Sequence, residues 1–251
     1  MERLSKELKR TFMHGSTLED DMRDIKTNVK RERYERKFVS YDLTLADMLS
    51  LIKTNPLLFR EVFPLRQVNS LYLDTIDRSD YSDNRDGNPY RSKTRIRWYG
   101  SLLGKITPRL EIKTKGNQIS KKFSFSLAPF MFDRAFTLKK LKQCFATSPL
   151  PREILARIHT LEPVLITSYK RRYFLSADGL CRLTLDSDLV FYEIKNHDNL
   201  FQRKMEDKEL FILELKYYGD YEDSVQRITQ HFPFRLARSS KYIAGVNAQE
   251  P

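Results

Sequence analysis

The sequence predicts an α+β fold: an eight-stranded antiparallel β-barrel, or tunnel, with helices packed on the outside. Three observations point there. Eight segments alternate in polarity with period two, the strand signal. Amphipathic helical patterns fall between them. At least five of the strands carry apolar residues on one face and Lys, Arg and Glu on the other.

Taken in order, residues 1–30 read as a polar helical extension with little apolar content. The strand patterns run over about 33–39, 68–74, 91–99, 108–115, 119–127, 165–175, 180–188 and 209–217. Thr44 followed by Asp47 forms a capping box, and Leu45, Met48, Leu49 and Ile52 continue it as one helical face. A short helix is expected from Pro56 to Phe63, and others over about 135–145 and 151–160. Tyr221, Val225, Ile228 and Phe232 share a helical face. Asp178-Gly179 marks a tight hairpin turn. From Gly245 on the chain reads as a loose tail, so the expected division is an extension at 1–30, one domain over 31–245 and a tail at 246–251.

The 251 residues include 45 Lys+Arg and 33 Asp+Glu, a net charge of +12. Residues 1–30 hold seven basic and six acidic side chains, which leaves +11 for the rest. Forty per cent hydrophobic content excludes disorder of the whole chain. No apolar run reaches the roughly 18 residues of a membrane helix, and the N-terminus is no secretory signal. Two cysteines, Cys144 and Cys181, exclude a disulfide scaffold and a Cys-rich zinc site. The four histidines form no HExxH-type spacing. A reducing, cytoplasmic location is expected. So basic a domain suits an anionic partner.

The faces of the strands locate the charge. In RSKTRIRW, Arg91, Lys93, Arg95 and Arg97 point one way, and Ile96 and Trp98 the other. In RLEIKTK, Leu110 and Ile112 oppose Glu111, Lys113 and Lys115; in KKFSFSL, Phe123, Phe125 and Leu127 oppose Lys122. Leu183 and Leu185 oppose Arg182, Thr184 and Asp186, and Leu213 and Leu215 oppose Glu214 and Lys216. Arg33, Glu35 and Lys37 oppose Tyr34, Arg36 and Phe38, where Arg36 interrupts the apolar face. Two readings follow. The charged faces meet bulk water around an apolar core, or they line the lumen of a closed barrel whose outer faces are covered by the helices. The amphipathic helices need a surface to pack on, which favours the lumen. Unpaired cations in a dry lumen are costly, so a lumen of this kind suits a polyanion.

The motifs RYERKF, VNSLYLDT with Tyr81 and Asn84, RSKTRIRWYG, LEIKTKG, YKRRY, CRLTLD, LELK and SSKY occur in that order over about residues 31–243. Together they resemble the catalytic domain of the vacuolar transporter chaperone family, the polyphosphate polymerase branch of the triphosphate tunnel metalloenzymes. The resemblance implies a basic tunnel with a glutamate-bound Mn²⁺ or Mg²⁺. In it the γ-phosphoryl group of ATP would pass to a growing polyphosphate chain. By motif it makes Lys37, Arg95, Arg97, Lys113, Lys122, Arg171, Arg182 and Lys241 the catalytic cations, with Lys121 the rival of Lys122. Tyr169 and Ser240 match substrate-side positions, and Arg33, Lys93, Lys115 and Lys216 share the charged faces as substrate-binding residues. Glu214 matches the metal-binding glutamate. Glu35 and Glu111 are second metal ligands or ion-pair partners, and Asp186 is similar.

The implied partners are ATP or another triphosphate and inorganic polyphosphate, with no nucleic acid. Eukaryotic members carry a phosphate-sensing domain and a membrane segment that this sequence lacks, so a separate membrane-protein partner is an expectation. Three further functions share the pattern: a tripolyphosphatase or nucleoside triphosphatase, a polyphosphate-binding module, and a nucleic-acid binder. The last leaves the regular cationic strand faces unexplained.

Overall fold

Alternating apolar and charged residues build one large antiparallel sheet. The computed structural model describes residues 33–116, 119–195, 199, 201, 204–218, 221, 225, 228–234, 236–237 and 239–249, with the backbone alone at Arg33 and Ile119. The helical extension expected over 1–30 lies outside the described residues. The strands are β1 (Arg33–Ser40), β2 (Arg60–Asp74), β3 (Arg91–Tyr99), β4 (Gly104–Ile106), β5 (Arg109–Gly116), β6 (Ile119–Ser126), β7 (Phe130–Phe132), β8 (Glu162–Leu175), β9 (Arg182–Tyr192), β10 (Lys204–Asp207) and β11 (Phe211–Tyr218). The helices are α1 (Leu45–Lys53), α2 (Ser79–Arg85), α3 (Leu138–Thr147), α4 (Arg152–Ile158) and α5 (Lys241–Asn247).

All eight expected strands are present. The sheet runs β1-β11-β9-β8-β2-β3-β5-β6, with β10 added beside β9, while β4 and β7 form a separate ribbon. Every pairing is antiparallel. No ladder joins β1 to β6 among the described residues, so the barrel is a curled half-barrel with those strands as its edges. The curl still brings the far strands face to face: Lys113 on β5 senses the charges of Glu35 and Lys37 on β1 and of Glu214 and Lys216 on β11.

The convex face is apolar and clad in helices. Leu71, Ile96, Trp98, Leu110 and Ile112 pack with Leu141, Cys144 and Phe145 of α3 and Ile158 of α4. Phe38, Leu183, Leu185, Leu213 and Leu215 pack with Met48 and Ile52 of α1 and with Val225 and Phe232. Trp98 is a packing residue here, 5.1 Å from the ring of Phe132. The α1 capping box forms as the sequence predicts, with Thr44 and Asp47 exchanging bonds. Arg36, the misfit on the apolar face of β1, donates to Tyr217 Oη at 2.9 Å and to Thr229 Oγ1 at 3.2 Å, so its charge is solvated by hydroxyls.

Two expectations are corrected. The stretch Pro56–Phe63 is not a helix: residues from Arg60 belong to β2, whose register against β8 shifts between Glu61 and Arg66. Pro64 falls within this irregularity, where its missing N–H costs no regular ladder bond. The first residues of the loose tail expected from Gly245, as far as Asn247, belong instead to α5, in which Gly245 and Val246 are buried. Its packing surface is the concave face, beside Tyr72, Leu165, Tyr169 and Phe191. A Cβ at Gly245 would stand 2.5 Å from Leu165 Cδ2 and 2.6 Å from Phe191 Cδ1, so glycine is what allows this close approach. Cys144 and Cys181 are free and buried. Among the described residues no helix is long and apolar enough to cross a membrane.

Candidate active site

The rest of the concave face is charged, and strand register dictates its pairs. Opposite positions on neighbouring strands present side chains to the same face. Lys37 stands across from Glu214, Arg95 from Glu111, and Arg171 from Asp186. Three buried carboxylates of the lumen, Glu111, Asp186 and Glu214, thus meet a cation directly across a ladder.

Glu111, only 3% exposed, is gripped by Arg95, whose Nη2 lies 2.7 Å from Oε2. Lys122 approaches its other oxygen at 3.1 Å, and Arg97 Nε lies 3.7 Å away. Lys122, rather than Lys121, is therefore the β6 lysine of the lumen. Asp186, 1% exposed, takes a bidentate pair of bonds from Arg171 at 2.5 and 2.8 Å and a third from Lys241 Nζ at 2.5 Å. Burial raises its pKa, but these two cations outweigh burial and hold it below the usual carboxylate range. Glu214 bonds Lys216 Nζ at 2.5 Å and has Lys37 Nζ at 3.6 Å. Burial opposes its ionisation, yet Lys216, Lys37 and Arg171 hold it well below the usual range. Lys37 also reaches Glu35 at 2.8 Å.

Two lumen cations, Lys93 and Lys113, are in no ion pair with a carboxylate among the described residues. Lys93 Nζ donates to Ser240 Oγ at 2.8 Å. Burial, then Arg95, Lys37, Lys113 and Arg91, pushes its pKa down to about 7. Lys113 is lowered by burial and by Lys37 and Lys216, with Glu35 and Glu214 opposing. Tyr169, buried, lies beneath two cations: Arg171 at 5.3 Å and Lys241 at 4.6 Å from its ring centroid. Arg182 stands across from Lys216, and Lys115 from Arg91 at the end of the β3–β5 ladder. Arg91 turns away to the carbonyl of Asn88 at 2.6 Å. The Arg33 side chain is outside the described residues.

The family model of the VTC domain matches residues 21–249 of this chain. The chain belongs to the VTC domain family. No curated protein matches it. Solved structures similar to this VTC domain include the PH1819 protein of Pyrococcus horikoshii, at 12% identity over 86% of this chain and 97% of that one, with a TM-score of 0.47. A protein named for adenylate cyclase from Vibrio parahaemolyticus shares 14% identity over 84% and 97%, with a TM-score of 0.45. A Hippeastrum protein named for adenylyl cyclase, and described as having a dominant triphosphatase activity, shares 13% identity over 88% and 97%, with a TM-score of 0.46.

Arg109 and Tyr242 of this VTC domain's lumen escaped the sequence reading, whereas the parity of Tyr72 with Ser70 and Asp74 already turned it toward the lumen. Arg109 has the parity of Glu111 and donates to Ser124 Oγ at 3.1 Å; the period-two pattern already contained it. Tyr72 accepts from Arg95 Nη1 at 3.4 Å and stacks on Tyr242 at 4.9 Å. Burial raises its pKa, but Arg95, Lys241 and Arg97 reverse this and leave it lowered. Tyr242 of α5 donates to Asp74, which also accepts from the backbone N–H of Tyr81 and Asp80. No local signal in the sequence joins Asp74 to Tyr242.

Proposed function

We propose that this VTC domain is a metal-dependent polyphosphate polymerase that passes the γ-phosphoryl group of ATP to a polyphosphate chain in its lumen. The observation that carries the reading is the excess of cations facing one space. Lys37, Lys93, Arg95, Arg97, Lys113, Lys122, Arg171 and Lys241 come from five strands and a helix, against the four carboxylates Glu35, Glu111, Asp186 and Glu214. Membership of the VTC domain family supports it.

Phosphoryl transfer asks the protein for position and charge neutralisation. Arg95, Arg97 and Arg171 offer planar donors to the triphosphate oxygens. Glu111 and Asp186 hold Arg95 and Arg171 in place, so those guanidinium groups are ordered before substrate arrives. Lys37, Lys113, Lys122 and Lys241 spread positive charge along the transferring group and the acceptor. A terminal oxygen of the acceptor chain attacks the γ-phosphorus, the bond to the β–γ bridging oxygen breaks, and ADP carries away the electron pair. Arg182, Lys216, Lys115, Tyr169 and Ser240 contribute to the walls of the path.

A divalent cation fits one part of this donor set. No group of three or more acidic, His or Cys ligands occurs among the described residues. Glu35 and Glu214, however, share Lys37, so two carboxylates converge where phosphate oxygens would complete the shell of a hard cation. Glu111 fits less well, since three cations, Arg95, Arg97 and Lys122, surround it, whereas two, Lys216 and Lys37, face Glu214. A bound Mn²⁺ or Mg²⁺ would supply charge stabilisation at the phosphate oxygens.

The test is incubation with ATP and Mn²⁺, assaying polyphosphate and free phosphate in one tube beside Glu214→Gln. Polyphosphate made by the native protein and lost in the variant is the expected result. Phosphate without polymer reassigns the chain to the hydrolases. Neither product, with tripolyphosphate bound tightly, makes it a binding module.

A further inference from the structure

The inner face of β1 and β11 changes character beyond Lys37 and Glu214. The next inward pair is Val39 and Ile212, directly across the ladder from each other. These two, with Leu189, Leu210 and Ile243, wall a pocket of about 360 Å³ between the sheet and α5. Its rim is polar and aromatic: Ser240 and Lys241 stand on the lumen side, and Tyr41, 56% exposed, also lines it. Lys241 belongs to both spaces, because its ammonium reaches Asp186 in the lumen. Ser240 does too, through Lys93.

An apolar pocket opening beside a cationic channel has two chemistries to offer one ligand. A polyphosphate chain gains nothing from Val39 and Ile212, because an anion loses its hydration against them. A molecule with an anionic chain at one end and a flat, weakly polar body at the other satisfies both. We propose that the pocket is the nucleoside subsite of the lumen, holding the base and ribose of a nucleoside triphosphate. The base stacks on Tyr41, and the phosphates pass Ser240 and Lys241 to reach Lys37 and Arg171. This rests on the lumen binding a triphosphate, and it adds the orientation of the donor: the nucleoside stays at the α5 mouth while the γ-phosphate lies deepest among the cations.

The subsite is tested by calorimetric titration of the full chain with two probes, ATP and inorganic tripolyphosphate, which lacks a nucleoside. Two variants are compared with the native protein. Tyr41→Ala removes the stacking ring. Ala244→Phe, at an exposed α5 position that lines the pocket, fills it without touching the core. Each variant is expected to weaken ATP about tenfold and to change tripolyphosphate by less than about twofold, the size of effect seen when one base loses its aromatic platform. Tyr41→Phe keeps ATP affinity. If tripolyphosphate binds and both variants hold ATP as the native protein does, or lose the two ligands equally, the subsite is wrong while the lumen reading stands. If the native protein binds neither probe, the lumen reading falls and the subsite falls with it.

Discussion

Lys93 reports the unbalanced charge of the lumen, and that makes it a probe of what the lumen binds. Its ammonium is buried among Arg95, Lys37, Lys113 and Arg91, which lowers its pKa from 10.5 to about 7. The hydroxyl of Ser240 faces it, and Asp80 of α2 senses its charge without bonding it. A triphosphate placed beside it favours the ammonium and raises that pKa. The pKa in the complex is then higher than in the free protein, so binding takes up a proton. Affinity is greatest below pH 7 and falls as pH rises from 7 toward the pKa of the complex. Full return to the ordinary value would change affinity about a hundredfold between pH 6 and pH 9. Partial return and solvent screening reduce this to about tenfold. The phosphates themselves gain charge over this range and oppose the trend, so the comparison is with Lys93→Arg, which keeps the charge and does not titrate. Titration of tripolyphosphate in buffers of different ionisation enthalpy gives proton uptake directly. The native protein is expected to take up a proton that the variant does not. Equal pH slopes and equal uptake in the two proteins would refute the reasoning.

Two further outcomes concern stability. Glu111→Gln leaves Arg95 and Lys122 without their carboxylate and is expected to cost about 3–5 kcal/mol in urea unfolding; a loss under about 1 kcal/mol would show that the pair is not a structural one. Gly245→Ala forces a methyl group against Leu165 and Phe191 and is expected to cost about 1–3 kcal/mol, read as a lowered midpoint in thermal melts.

The strands and their faces were legible because period two is a local property: Arg95 and Arg97 differ from Ile96 and Trp98 by one position, and each needs only its neighbours to be oriented. The ion pairs were less so. Arg171 and Asp186 are equidistant from the Asp178-Gly179 turn, so their pairing was recoverable once that hairpin was recognised. The pairing of Arg95 with Glu111 needed the β3–β5 register across the β4 insertion, which no single turn fixes. YKRRY is polar on both faces, and only the folded sheet orients it: Arg171 turns inward while Lys170 pairs with Asp188 and Arg172 with Glu61. Gly245 misled because glycine ends many helices, whereas here its missing side chain lets α5 lie on the sheet.

The cations of the lumen fall into two groups with different consequences. Arg95, Arg171 and Lys241 are bound to carboxylates, so their positions are set while their charge is largely matched. Among the described residues Lys93 and Lys113 have no such bond, and burial first, then the neighbouring cations, lowers their pKa values. An arriving polyanion gains most from the second group, because relieving their repulsion adds to its own attraction. It gains geometry from the first, because those donors need not be reorganised. Removing Asp186 would therefore be expected to misplace Arg171 while strengthening the net field, and removing Lys93 would weaken the field while leaving Arg171 in place. Affinity and positioning are thus carried by different residues of one surface. A lumen built only of matched pairs would hold its arginines well and attract little. One built only of bare lysines would attract strongly and align nothing.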